Sequence, residues 1–118
     1  MANGTLFIGF GLAYPGYQQK SLKLFAASVD RYRELQKQGV IDSFEAVLLD
    51  YHGGDLAGFI LLRGDREKLN KLRMSPDFES AMQRAGVLLS HVGCVEAFTG
   101  EEAQRRLTDY GKQLAEWG

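Results

Sequence analysis

Two histidines, one cysteine and a scatter of tyrosines are the side chains best suited to chemistry in this 118-residue chain. His91 stands among apolar neighbours in Leu89-Ser90-His91-Val92-Gly93. Histidine titrates near neutrality, so inside a pocket His91 would act as a catalytic acid or base. The alternative is a packed side chain with one satisfied hydrogen bond, in the core or at a subunit interface. His52 lies in Tyr51-His52-Gly53-Gly54-Asp55, a turn, and turns run over the surface. His52 and His91 with Asp50 or Asp55 lack the spacing of a metal site, and no metal is expected. Cys94 has no partner for an internal disulfide and no basic sequence neighbour to make its thiol a nucleophile.

Several aromatic residues are placed to shape a cavity. Tyr14 and Tyr17 flank Pro15-Gly16 in a loop, each offering a stacking face and a hydroxyl. Tyr51, Phe59, Phe78 and Met82 complete the candidate substrate-binding set, with plain core packing as the competing reading. Two strings are set aside. Gly9-Phe10-Gly11 opens like a dinucleotide loop, but Tyr14 stands where the third glycine is needed. Arg63-Gly64-Asp65 closes a strand and caps a helix.

These residues must be held by secondary structure, and the most telling stretch runs from Ser43 to Arg63. Two apolar runs joined by Gly53-Gly54 predict a β-hairpin whose two-residue turn has positive φ at both glycines. That register sets Leu48 opposite Phe59 and Tyr51 opposite Leu56. One face then carries Phe44, Ala46, Leu48, Ala57, Phe59 and Leu61, and the other Val47, Leu49, Leu56, Ile60 and Leu62. Both faces are apolar, so both need a cover.

Before the hairpin, Thr5 to Leu12 reads as a first strand, with Gly9 and Gly11 thinning one face. Leu22, Phe25, Val29, Tyr32 and Leu35 predict an amphipathic helix from about Gln18 to Gln38, stopped by Gly39. After it, Asp65 caps a helix over Arg66 to Arg73, and Ser75-Pro76 opens another, striped by Phe78, Ala81, Met82 and Ala85 and ending at Gly86. Val87 to Phe98 reads as the fourth strand, with His91 in its middle. Thr99 and Glu102 form a capping-box pattern for a last helix striped by Ala103, Leu107, Tyr110, Leu114 and Trp117.

The order β-α-β-β-α-β plus a C-terminal helix is the ferredoxin-like pattern of the α+β class, with helices on one face of a four-stranded antiparallel sheet. One domain over residues 1–118 is expected. The other sheet face is left bare, and a face-to-face homodimer is the simplest cover. The last helix would pack over an edge or reach across to the partner.

Composition narrows the partners. The chain is 45% hydrophobic and 25% charged, with 14 Lys and Arg against 15 Asp and Glu. A net charge of −1 with no basic block argues against nucleic acid. No apolar run reaches membrane-spanning length and no signal-peptide pattern opens the chain, so a cytoplasmic protein is expected.

The element order, with Ser75-Pro76-Asp77-Phe78 opening a helix before the last strand, resembles the dimeric α/β-barrel superfamily. Antibiotic-biosynthesis-type monooxygenases, muconolactone-isomerase-like proteins and haem-degrading proteins are members. Arg63 to Gly100 resembles uncharacterised bacterial proteins of the same layout. The resemblance implies a small-molecule pocket, and a cofactor-independent monooxygenase or isomerase acting on an apolar ring compound. His91 would be its acid/base group. Haem degradation is disfavoured, because Trp117 is C-terminal and neither histidine falls on a predicted helix. No cofactor is expected. The alternative is a non-enzymatic structural or ligand-sensing homodimer.

Overall fold

The structure, a computed structural model, describes residues 3–118. Four strands, β1 (Gly4–Phe10), β2 (Ser43–Leu48), β3 (Gly58–Gly64) and β4 (Gly93–Glu96), form one antiparallel sheet in the order β2-β3-β1-β4. Helix α1 (Gln18–Lys37) joins β1 to β2. Helices α2 (Arg66–Arg73) and α3 (Pro76–Leu88) join β3 to β4, and α4 (Gly100–Trp117) closes the chain. This is an α+β, ferredoxin-like fold with an added C-terminal helix.

Local chemistry explains the helix starts. Asp65 accepts the Lys68 backbone N–H at 3.1 Å, and Ser75 Oγ accepts that of Phe78 at 3.3 Å. Pro76 follows at the first helical position, so α2 and α3 are separate helices meeting at Met74-Ser75. Gly39, at φ 77°, ends α1 in the left-handed conformation. The capping box at Thr99 does not form: Thr99 makes no side-chain cap bond, and the Glu102 carboxylate is held by Arg105 instead.

Strand pairing sorts the side chains. Leu6 and Ile8 of β1 lie opposite Leu62 and Ile60 of β3, and all four are buried beneath the helices. Tyr32 and Leu35 of α1, Ile41, Leu69 of α2 and Phe78 of α3 complete the core. The bare face carries Phe7, Phe59, Leu61, Val47 and Val95, bordered by the ion pair of Arg63 with Glu45 at 3.4 Å.

Three expectations change. The hairpin pairs Val47 with Phe59 and Leu48 with Gly58, one residue out of the expected register. Phe44 and Ala46 therefore share the helix face with Ile60 and Leu62, while Val47 faces outward with Phe59 and Leu61. The loop from Leu49 to Ala57 is wide: only Gly53 takes positive φ, at 83°, and the His52 ring folds inside it. Helix α1 turns its expected stripe inward except at Leu22. Leu22 is 70% exposed, and Ser21, half-buried Leu24, Phe25 and Ser28, then Tyr32 and Leu35, point inward. The fourth strand is shorter than expected because α3 runs on to Leu88. The chain then pairs loosely beyond the end of β1, through Gly11 N–H to Ser90 O at 2.7 Å and Ser90 N–H to Leu12 O at 3.0 Å. It bends at His91, whose φ of 53° breaks the extended conformation, and straightens at Gly93.

Candidate functional site

The inner face of α1 shapes the candidate site, because two small residues, Ser21 and Ser28, share it with Phe25 and Tyr32. Between α1, α3 and the helix face of the sheet lies an inner chamber of about 60 Å³. Its walls include Ile8 and Ile60 from the sheet, Ser21, Phe25 and Tyr32 from α1, and Met82 from α3. Leu24, Ser28, Tyr32, Phe78 and Ala81 also line a groove of about 320 Å³ between α1 and α3. Groove and chamber thus share a wall. Arg31, Arg84 and Asp77 stand along the groove at the solvent side.

The chamber is apolar with three hydroxyls, those of Ser21, Ser28 and Tyr32. Ser21 Oγ is buried and has no hydrogen-bond partner. A buried hydroxyl left unpaired costs about 1–3 kcal/mol, so the arrangement fits a site that a guest completes. Tyr32 packs its ring 5.9 Å from that of Phe44, and burial, with Cys94 beside it, pushes its phenol up to about 12. It is therefore a neutral hydroxyl at ordinary pH. The lining residues of the chamber include no carboxylate, histidine or thiol. Chemically, these walls can hold an apolar body and bond one polar atom.

The expected site residues divide among three places. Phe78 and Met82 meet in the chamber wall. Phe59 lies on the opposite, bare face of the sheet, its ring 5.3 Å from that of Phe7. Gly9 makes room for that ring: a Cβ on it would come within 2.6 Å of the Phe7 edge. The remaining residues gather at the loop end of the sheet. Tyr14 and Tyr17 are partly exposed, with Lys20 Nζ 5.6 Å from the Tyr17 ring centre, and Tyr51 is 93% exposed.

His91 belongs to that loop end, outside the chamber. Its Nε2 lies 3.8 Å from the Asp55 carboxylate and its ring faces solvent. The approach of the loops needs Gly11, where a Cβ would stand 2.5 Å from Ser90 Oγ and 2.8 Å from Asp55 O. His52 bonds within its own loop. Gly54 N–H donates to Nδ1 at 3.3 Å, which leaves the proton on Nε2 to be donated to Leu56 O at 2.8 Å. Among the described residues, no group of three or more His, Cys, Asp or Glu is arranged to hold a metal ion. Cys94 sits on the helix face opposite Ile8, and burial pushes its thiol up.

A wider cleft, about 470 Å³, opens at the other end of the sheet between Thr5, Arg63, Arg66, Glu96 and the first turn of α4. Within it Arg66 pairs with Glu96, while Arg63 reaches out to Glu45 and Glu102 to Arg105. No helix among the described residues is long and apolar enough to cross a membrane.

Sequence periodicity marked Phe78, Met82 and Tyr32 as inward-facing but passed over Ser21 and Ser28. The signal was present: Ser21, Phe25, Ser28, Tyr32 and Leu35 recur at four and three, an inner stripe whose serines interrupt its apolar run.

No family model and no curated protein matches this sequence. Among solved structures, the chain is similar to a dimeric protein of unknown function with a ferredoxin-like fold from Bacteroides fragilis. The TM-score is 0.56 at 13% identity, covering 80% of this chain and 94% of that one. At that identity the likeness is one of fold.

Proposed function

We propose that this protein is a homodimer that binds a small, largely apolar molecule between its helices and its sheet. The observation that carries the ligand is Ser21: a buried hydroxyl without a partner, in a chamber that shares a wall with an open groove. The ligand's apolar body would lie against Phe78, Met82 and Leu24, and one polar atom would bond Ser21 or Tyr32. Support for the dimer is the apolar bare face and the dimeric state of the similar Bacteroides fragilis protein. Binding alone accounts for the chamber, because its lining supplies no group that changes charge near neutrality.

A second reading keeps an isomerase- or monooxygenase-like activity, with His91 as its acid/base group. Its support is the Asp55 carboxylate 3.8 Å from Nε2 and a backbone held at φ 53°. Tyr14 and Tyr17, near the same end of the sheet, would then border the substrate.

A thermal-shift panel of quinols, aromatic acids and lactones tests both. A ligand of the native state raises the melting temperature by mass action. Binding at the chamber predicts a shift that Met82→Trp abolishes and His91→Ala leaves intact. A shift lost only in His91→Ala moves the site to the loop end. No shift with any compound, together with a water bonded to Ser21 in a crystal structure, would remove the ligand reading.

A further inference from the structure

Helix α4 is the element the monomer does not explain. Its 18 residues extend for about 27 Å, and none is buried. Leu107, Tyr110, Leu114 and Trp117 are 66%, 60%, 49% and 85% exposed, and they fall on one stripe. No strand or other helix of the chain packs along it. The radius of gyration, 16.2 Å, exceeds the roughly 13.5 Å of a compact domain of this length, as a projecting helix requires. A lone helix of this size is marginal in water, so α4 needs a surface to lie on.

We infer that α4 lies on a second copy of this chain, burying its apolar stripe in the dimer. The inference rests on the homodimer proposed above and extends it to a second contact. Three observations point to that occupant. The first is where the helix begins. Its opening turn shares a cleft with Thr5 and Arg63 of the bare face and with Arg66 and Glu96 of the helix side, so α4 departs at the end of the sheet, within reach of a partner on the bare face. Arg106, with its guanidinium carbon 3.5 Å from the Phe98 ring centre, fixes that departure.

The second is area. Strands of 7, 6, 7 and 4 residues, spaced about 4.8 Å apart, present a face of about 380 Å² in projection. A standard interface takes about 800 Å² of accessible surface from each partner, and the exposed stripe of α4 adds apolar surface to what this small sheet face supplies.

The third is charge. Ala103, Leu107, Tyr110, Leu114 and Trp117 follow a four-three-four-three spacing, the pattern of a helix seam that meets another element lengthwise. Gln104 and Gly111 flank the seam on one side, and Glu102, Arg106 and Gln113 on the other, where Arg106 stacks on Phe98. A second copy carries the same charges, and the charged flank is balanced within itself, Arg106 beside Glu102, so it presents no net like charge to that copy. Arg105 and Asp109 pair with each other on the outer side, where Arg105 also holds Glu102.

Trp117, the single tryptophan, reports the contact directly. In the full-length protein, its emission should be blue-shifted when dimeric and move to the red on dilution, in step with dissociation seen by sedimentation. Leu107→Gln with Leu114→Gln keeps good helix formers and should raise the dimer dissociation constant about tenfold or more. A dimer unchanged by that double variant, but split by Leu61→Glu on the bare face, would overturn the role of α4 and leave the sheet-to-sheet dimer standing. A monomeric wild type with Trp117 shielded would overturn both, placing α4 on its own sheet.

Discussion

Arg66 grips Glu96 at two points, Nε to Oε1 at 3.0 Å and the second guanidinium nitrogen to Oε2 at 3.2 Å. The pair ties the first turn of α2 to the end of β4, just before the chain turns into α4. Hydrogen bonding from Arg66 holds the Glu96 carboxyl below its ordinary value of 4.5. The folded state therefore releases this proton more readily than the unfolded chain. Its contribution to stability is present above pH 4.5 and is lost as the pH falls through the folded value. Urea unfolding of wild type and Glu96→Gln across this range should show the wild-type advantage shrinking on acidification. An advantage that stays constant would mean the pair is not what stabilises this corner.

His91 pays a conformational penalty for its left-handed backbone, which a glycine would not. His91→Gly should raise stability by up to about 1 kcal/mol, and His91→Val should lower it, since a β-branched residue tolerates this conformation least. The exposed contact to Asp55 is worth little against that difference. Melting temperatures of the two variants decide the matter. If His91→Gly melts several degrees below wild type, the imidazole makes a stabilising contact that outweighs the backbone term.

Tyr32 should give the protein an alkaline limit. Its folded phenol titrates at about 12, above the 10.0 of an exposed tyrosine, so the neutral form is favoured by folding. That stability is full below pH 10.0 and is lost as the pH rises toward 12. Tyr32→Phe should flatten this decline, leaving the other four tyrosines to ionise without it. A phenolate absorbance titration that shows all five tyrosines ionising together near 10 would contradict the buried position.

The face that α1 turns to the sheet can be read by charge. Leu22 is exposed, so Leu22→Lys should change stability by no more than about 0.5 kcal/mol. Leu24 lines both groove and chamber, so Leu24→Lys should cost about 2 kcal/mol or more. Equal effects in denaturant titrations would put Leu22 in the inward stripe after all.

What the sequence determined by itself is whatever neighbouring residues decide between them. Asp65, Ser75-Pro76 and Gly39 mark helix ends through bonds and dihedrals spanning three or four residues, and those ends stand as read. The element order, and with it the ferredoxin-like fold, follows from such local marks. Tertiary structure decided everything that depends on distant partners. The hairpin register depends on how β3 pairs with β1 and on the His52 ring folding into its own loop, not on the two glycines. Which α1 residues join the inner face depends on packing against Ile8 and Ile60: Ser21 and Ser28 lie there beside Phe25 and Tyr32, while Leu22 is left in solvent. His91 left the strand because α3 continued to Leu88 and the chain had to bend to rejoin β1. Local bonds set the elements; close packing across the sheet decided which residues face the chamber, the solvent and the bare side.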